Sequence, residues 1–438
     1  MRKFYWITAV VIIALSAVSS AQKVLTLQDC INTALKNNWT YRSAVWENKS
    51  AGNDLWSAWG RFLPRADFYF SNNSAGLGPT SPFYDNNGVF RPGTPALEYK
   101  SYAVGVSFSQ VIFDGGANVF NLSSKLAAKN SSDYALLFSK QNLIFQVKQV
   151  YFDLLKSKML LEVQQEVAKR SEQQLKIAQS RFELGSASKS DFLKAKVQFG
   201  KDQLALLKAE NQVQVSRSNL NAVMGQDVDQ AFDVQDVLEK TPMSLSYDEC
   251  LRLAYKNHPS IGQSQSDIDV AEGGMRAARA GYLPTVSIGG SRNWNASAIK
   301  DVTLDNIRHK DYRWGIGLTI SFNLFEGFQT QNVYLNSRNQ VKTANEKLEQ
   351  AKSDVALEVK QAFLSLDETG KSISVSEQNV QAAEEDLNLV QEKYRLGAAS
   401  ILELLDAQVS FQTANSDNVQ ALFDYNLAVA RLERAIGK

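Results

Sequence analysis

Carboxylates carry most of the chemistry this chain could perform. It has only two histidines, His258 and His309, and two cysteines, Cys30 and Cys250. A zinc ligand set or a histidine-based triad has little to draw on, so any enzyme here would rest on acid–base work by Asp and Glu. The best-placed acids follow two related motifs. Phe182-Glu183-Leu184-Gly185-Ser186-Ala187-Ser188 precedes Asp191, and Tyr394-Arg395-Leu396-Gly397-Ala398-Ala399-Ser400 precedes Glu403 and Asp406. In each motif a glycine, which tolerates positive φ, ends one helix before another begins. An acid in the first turn of the new helix faces the positive end of its dipole, and for Asp191 that is one complete reading. No glycine-rich loop or histidine adjoins these acids, which disfavours catalysis. No cofactor and no resident metal is expected.

Long helices position these acids. Val359, Leu366, Ile373, Val380, Leu387 and Tyr394 fall at seven-residue spacing, as do Val147, Leu154, Leu161, Ala168, Leu175 and Phe182. A heptad sustained over five repeats signals a coiled coil. No proline interrupts 115–185 or 327–397, so each stretch predicts one helix of roughly 100 Å at about 1.5 Å per residue. After Gly185 and Gly397 a second heptad helix returns. Its seam alternates large and small residues, as in Leu404, Ala407, Phe411 and Ala414.

The chain is a duplication. Leu25-Thr26-Leu27-Gln28-Asp29-Cys30 matches Leu245-Ser246-Tyr247-Asp248-Glu249-Cys250, and Leu63-Pro64 matches Leu283-Pro284. Phe113-Asp114-Gly115 matches Phe325-Glu326-Gly327. Equivalent places in the two copies make Cys30 and Cys250 small core residues rather than a disulfide. The expected organisation is a first repeat over 22–225, an acidic equatorial linker over 226–244 and a second repeat over 245–438.

Before each long helix lies a segment of period two. Tyr312, Trp314, Ile316, Leu318, Ile320 and Phe322 alternate with small or polar residues, as do Tyr102, Val104, Val106 and Phe108. Upstream partners begin after Pro64 and Pro284, with Ala66, Phe68 and Phe70, or Val286 and Ile288, on the apolar side. Such a segment suits an outer-membrane barrel strand, although a soluble sandwich strand shares the period. Four strands cannot close a membrane barrel of at least about eight, and unpaired edges are not viable in lipid. Two chains would give eight strands and three would give twelve; a conducting lumen favours three.

Arg2 and Lys3, an apolar run from Ile7 to Val18 and Ser19-Ser20-Ala21 read as a secretory signal peptide over 1–21. Forty-seven basic against forty-six acidic residues point to no nucleic acid.

Together these features resemble the TolC outer-membrane efflux family over essentially the whole mature chain. The repeat starts, the paired Leu-Pro, the Phe-Asp/Glu-Gly junctions and above all the Phe/Tyr-x-Leu-Gly-x-Ala-Ser tips carry the likeness. The resemblance implies a membrane β-barrel plus an all-α tunnel, with four strands per chain in a trimeric twelve-stranded barrel in the outer membrane. It implies a homotrimer among outer-membrane lipid that serves as exit duct for an inner-membrane pump and a periplasmic adaptor. On the same basis Glu403 and Asp406 would ring the pore constriction, favouring cations. Asp191 and Tyr394 would form gate links, and the adaptor would dock on Arg181, Leu184, Gly185 and Ser188 with Arg395, Leu396, Gly397 and Ser400. The family's latch arginine would fall near Ala399, where this chain has none. A coiled-coil structural envelope protein is the alternative from another class.

Overall fold

The computed structural model describes residues 24–235 and 245–438. The expected leader and residues 236–244 of the expected linker lie outside the described residues. In chain order the elements are β1 (Val24–Leu25), α1 (Leu27–Asn37), α2 (Trp39–Gly60), β2 (Arg65–Leu77), β3 (Phe83–Tyr84), β4 (Phe90–Arg91), β5 (Leu97–Phe113), α3 (Ala117–Glu183) and α4 (Lys189–Met224). There follow β6 (Asp233–Val234), α5 (Tyr247–Asn257), α6 (Pro259–Ala280), β7 (Thr285–Ala296), α7 (Leu304–His309), β8 (Tyr312–Ser321), α8 (Gln329–Arg395) and α9 (Ile401–Ala435). These residues form two compact units, one of 24–48, 133–235, 245–263 and 348–438, the other of 49–132 and 264–347.

The second unit holds an antiparallel sheet in the order β2-β5-β7-β8. One row of the register runs Phe70, Val104, Trp294, Tyr312. Because successive side chains of a strand point to opposite faces, this pairing collects the apolar positions of all four strands on one side. That side has little protein over it toward β8, where Trp314, Ile316, Leu318 and Ile320 are each more than 60 % exposed. The other face is mostly small and polar, with Tyr69 the large side chain in the row Tyr69, Gly105, Asn293. There the Tyr69 hydroxyl donates to Asn293 Oδ1 at 2.9 Å, and the ring of Tyr69 lies over Gly105 so closely that a Cβ would come within 2.5 Å of it. Among the described residues, β2 and β8 each pair on one side only. β3 and β4 form a separate hairpin, with Tyr84 edge-on to Phe90.

The first unit is helical. Thr26 and Ser246 begin α1 and α5 with the same reciprocal cap, to Asp29 and Glu249 respectively. Each short helix then buries a cysteine against a long hairpin. Cys30 packs with Val147, Leu154, Leu220 and Met224, and Cys250 with Val355, Val359, Leu432 and Ala435. Both thiols are free and buried, and burial pushes that of Cys30 up to about 12. A fully buried leucine in such a seam contributes roughly 2 kcal/mol. The heptad residues Val147, Leu154, Ala168, Val359, Ile373, Leu387 and Tyr394 are buried, so the spacing read from sequence follows the packing seam there, whereas toward the first tip the buried positions shift to Gln174 and Ala178, and Phe182 is exposed. Part of the expected linker is itself structured, for β6 pairs in parallel with β1. α3 and α8 are each 67 residues long.

Candidate functional site

The two hairpin tips end in the same turn. At Gly185 (φ +72°) and Gly397 (φ +79°) the backbone enters the left-handed region. The Ser186 and Ala398 amides then donate back to Arg181 and Lys393 carbonyls at 2.9 and 2.8 Å. This closure satisfies carbonyls that a helix end leaves unpaired, and glycine supplies it without a Cβ penalty. The next helices start alike. Ser188 Oγ accepts from the Asp191 amide at 3.1 Å and its hydroxyl donates to Asp191 Oδ2 at 2.8 Å. Ser400 Oγ accepts from the Glu403 amide at 3.2 Å and donates to Glu403 Oε1 at 3.0 Å. Asp191 and Glu403 are therefore the same position in the two repeats, each an acid on a helix N-terminus. The difference between the tips comes three residues later, where Asp406 corresponds to Lys194.

Beneath the second tip lies an apolar cluster of Leu387, Tyr394, Ile401, Leu404 and Ala407. It anchors the first turns of α9 and leaves Glu403 and Asp406 exposed on either side of Leu404. The first tip is held instead by Phe182 stacked on Phe192, centroids 5.9 Å apart. Arg181 joins the tips. The Arg181 guanidinium donates to the Tyr394 and Arg395 carbonyls at 3.3 and 3.1 Å. It also lies 4.8 Å from the centroid of the Tyr394 ring. The carbonyls belong to the C-terminal end of α8, where a cation meets the negative end of the dipole.

Arg181 and Tyr394 are thus brought together, whereas Asp191 is not brought to Tyr394, because its carboxylate is turned to Ser188. Leu184 and Leu396 are 82 and 74 % exposed at the two turns. Arg395 pairs with Glu392 at 3.0 Å. Lys194 was missed by sequence reasoning; carrying the tip alignment one helical turn further would have found it facing the role of Asp406. The tip-spanning contact of Arg181 left no signal in the motif, since it crosses 213 positions.

A family model described as outer membrane efflux protein matches residues 30–226 and again 250–438. The chain belongs to the outer membrane efflux protein family. It is 25 % identical to the outer membrane protein TolC of Vibrio cholerae over 427 residues, which covers 97 % of this chain and 93 % of that one. The alkaline protease secretion protein AprF of Pseudomonas aeruginosa is 23 % identical, with 93 % of this chain and 83 % of AprF covered. Among solved structures, the outer membrane protein VceC of Vibrio cholerae superposes with a TM-score of 0.77 at 16 % identity, covering 94 % of this chain and 96 % of VceC. The CmeC outer membrane channel of Campylobacter jejuni gives 0.77 at 16 %, covering 94 and 85 %. The fold of this efflux-family chain is accordingly that of the outer-membrane channels, with strands of a membrane β-barrel and hairpins of an all-α tunnel, and its place is the outer membrane.

Proposed function

We propose that three copies of this chain form one continuous duct, a twelve-stranded barrel in outer-membrane lipid followed by a periplasmic helical tunnel. It passes solutes from an inner-membrane pump and a periplasmic adaptor to the exterior. The observation that supports this most directly is the sheet: one apolar face, one mostly small and polar face and two edges without partners among the described residues. In hydrocarbon those edges must pair, and pairing β8 of one copy with β2 of the next closes a barrel. A leader over 1–21, repeats over 22–225 and 245–438 and a linker over 226–244 complete the proposed organisation. Purified protein in a planar bilayer should give discrete conductance steps. A non-conducting structural stalk would give none, and that result would remove the duct.

At the tips, Glu403 and Asp406 are proposed as the acidic constriction. Three copies of two exposed carboxylates concentrate negative potential where field lines narrow. Converting both to alanine should weaken cation preference in reversal-potential measurements, and unchanged selectivity would place the constriction elsewhere. Tyr394 and Asp191 keep their proposed place at the gate, with Arg181 as the group that touches Tyr394. The adaptor is proposed to dock on Leu184, Gly185, Ser188, Leu396, Gly397 and Ser400, exposed about the two turns, with Arg181 and Arg395 beside them. Because AprF is named for protease secretion, a protein cargo is a second reading; export assays with each cargo class would separate them.

A further inference from the structure

The apolar face of the sheet carries an arginine. Arg292 on β7 shares a row with Phe68, Val106 and Trp314, and those three are 52 to 72 % exposed. The rows on either side are apolar. Ala66, Phe108, Gly290 and Ile316 lie toward the helices, and Phe70, Val104, Trp294 and Tyr312 toward the loops. An arginine that faces hydrocarbon is costly unless it reaches the interface or meets an anion. Arg292 stands one row inside the last fully apolar row, about 7 Å from it at about 3.4 Å per residue. Its side chain is long enough to bring the charge to that level. The strands join the long helices at their other ends, so in the proposed barrel this level is the exterior one.

Arg292 is held in place. Its Nη2 donates to the Arg308 carbonyl at 2.7 Å, and its guanidinium lies 4.3 Å from the centroid of the Tyr312 ring. Since Arg292 is on the apolar side, that bond folds α7 over the outside of the sheet, away from the small polar face. Two more cations follow, Arg308 and Lys310, both exposed. The same loop contains Asp301, Asp305 and Asp311. Asp305 is taken by His309 at 3.1 Å, and among the described residues no acid pairs with Arg292, Arg308 or Lys310. Trp294, 3 % exposed in the next row, has an indole N–H with no acceptor among the described residues. This corner thus has donors and positive charge to spare, at the level where Trp294, Tyr312 and Trp314 form an aromatic belt.

A phosphate fits this corner best. Guanidinium groups bind phosphate oxygens in pairs, and the planar fork of Arg292 is already oriented by its carbonyl and its ring. A phosphomonoester, with nearly two negative charges, balances two neighbouring cations where a phosphodiester with one does not. In an outer membrane the lipid that carries phosphomonoesters is the phosphorylated glycolipid of the outer leaflet, at the loop end of the strands. Its acyl chains would then run along Trp314, Ile316, Leu318 and Ile320, which are each more than 60 % exposed on the same face.

We infer that Arg292 and Arg308, beside the Tyr312 ring, form a binding site on the outside of the barrel for a phosphate of the outer-leaflet glycolipid. The inference rests on the barrel proposed above and names a lipid that the barrel holds. Its test uses the full chain purified in detergent, with lipid A bearing two phosphates as the probe in native mass spectrometry. The parent should retain lipid A at least ten-fold better than lipid A stripped of its phosphates, and better than phosphatidylglycerol. Arg292→Gln with Arg308→Gln should remove that preference and leave single-channel conductance unchanged. Arg308→Gln alone keeps the carbonyl that Arg292 uses, so it leaves the loop in place and should still weaken retention about three-fold or more. Arg313→Gln, on the opposite face of the same strand pair, should retain lipid A as the parent does. Equal retention by the parent and the double variant overturns the site, as does equal loss in Arg313→Gln. Phosphatidylglycerol held as tightly as lipid A overturns the phosphomonoester, and displacement of lipid A by millimolar inorganic phosphate assigns the arginines to a free anion instead. A parent that conducts in a planar bilayer yet shows no phosphate preference overturns this site alone, whereas a parent that does not conduct overturns the duct.

Discussion

Arg181 shows how much one side chain contributes at the tips. It caps the end of α8 through two carbonyls and covers the Tyr394 ring, contacts that lysine cannot reproduce because it lacks the planar fork. Arg181→Lys should loosen the tips by about 1–2 kcal/mol. Hydrogen exchange at amides 182–187 and 394–399 would report it, and unchanged protection at both turns would show that Arg181 does not join them. His258 makes a different residue-level prediction. Burial holds its imidazole below the ordinary 6.5, with Glu358 opposing the shift and Arg434 adding to it. The folded chain then stays neutral where the unfolded chain takes up a proton. Stability should be level above about pH 6.5 and fall as pH drops below it. His258→Gln should flatten that acid limb in denaturant titrations; an identical limb would assign it to carboxylates instead.

Among the elements, the sheet depends on the fit of Gly105 beneath Tyr69. Gly105→Val places a Cβ about where ring atoms of Tyr69 and Oδ1 of Asn293 already lie, so the Tyr69 ring and its hydrogen bond to Asn293 must be displaced, at a cost of about 1–3 kcal/mol. Thermal melting of the purified protein should shift down, and Tyr69→Ser should recover most of the loss; full stability of the single variant would deny the contact. Elements such as these were legible in sequence wherever a period was clean. Alternation in Tyr312–Phe322 and heptads from Val147 and Val359 located strands and seams, because burial on one face leaves its own repeat length in the residue types. The β1–β6 pair was not legible: two residues per strand are too few to show a period, and β6 lies where acidity suggested only a linker. The tips were legible as turns and caps, while the partner of Tyr394 was not, since a contact between distant segments has no local signature.

At the scale of the whole molecule, the two repeats match in length more closely than in residues. α3 and α8 both run for 67 residues, and their turns are locked together at the far end. That equality makes the helices a ruler, with consequences for how such a gene can change length. Removing seven residues from α3 and seven from α4 keeps one hairpin in heptad register and shortens it by roughly 10 Å, but leaves its turn out of reach of the other. Only a matched set of four deletions, one in each of α3, α4, α8 and α9, keeps both seams and both turns in step. The four-fold deletion should still give a heat-resistant assembly, and the two-fold one should be cut readily by protease at its tips. If the two-fold variant resists protease as well as the parent, the hairpins do not measure one another. Length variation in this architecture should therefore come in whole heptads and in fours, as with storeys added to every wall of a tower at once.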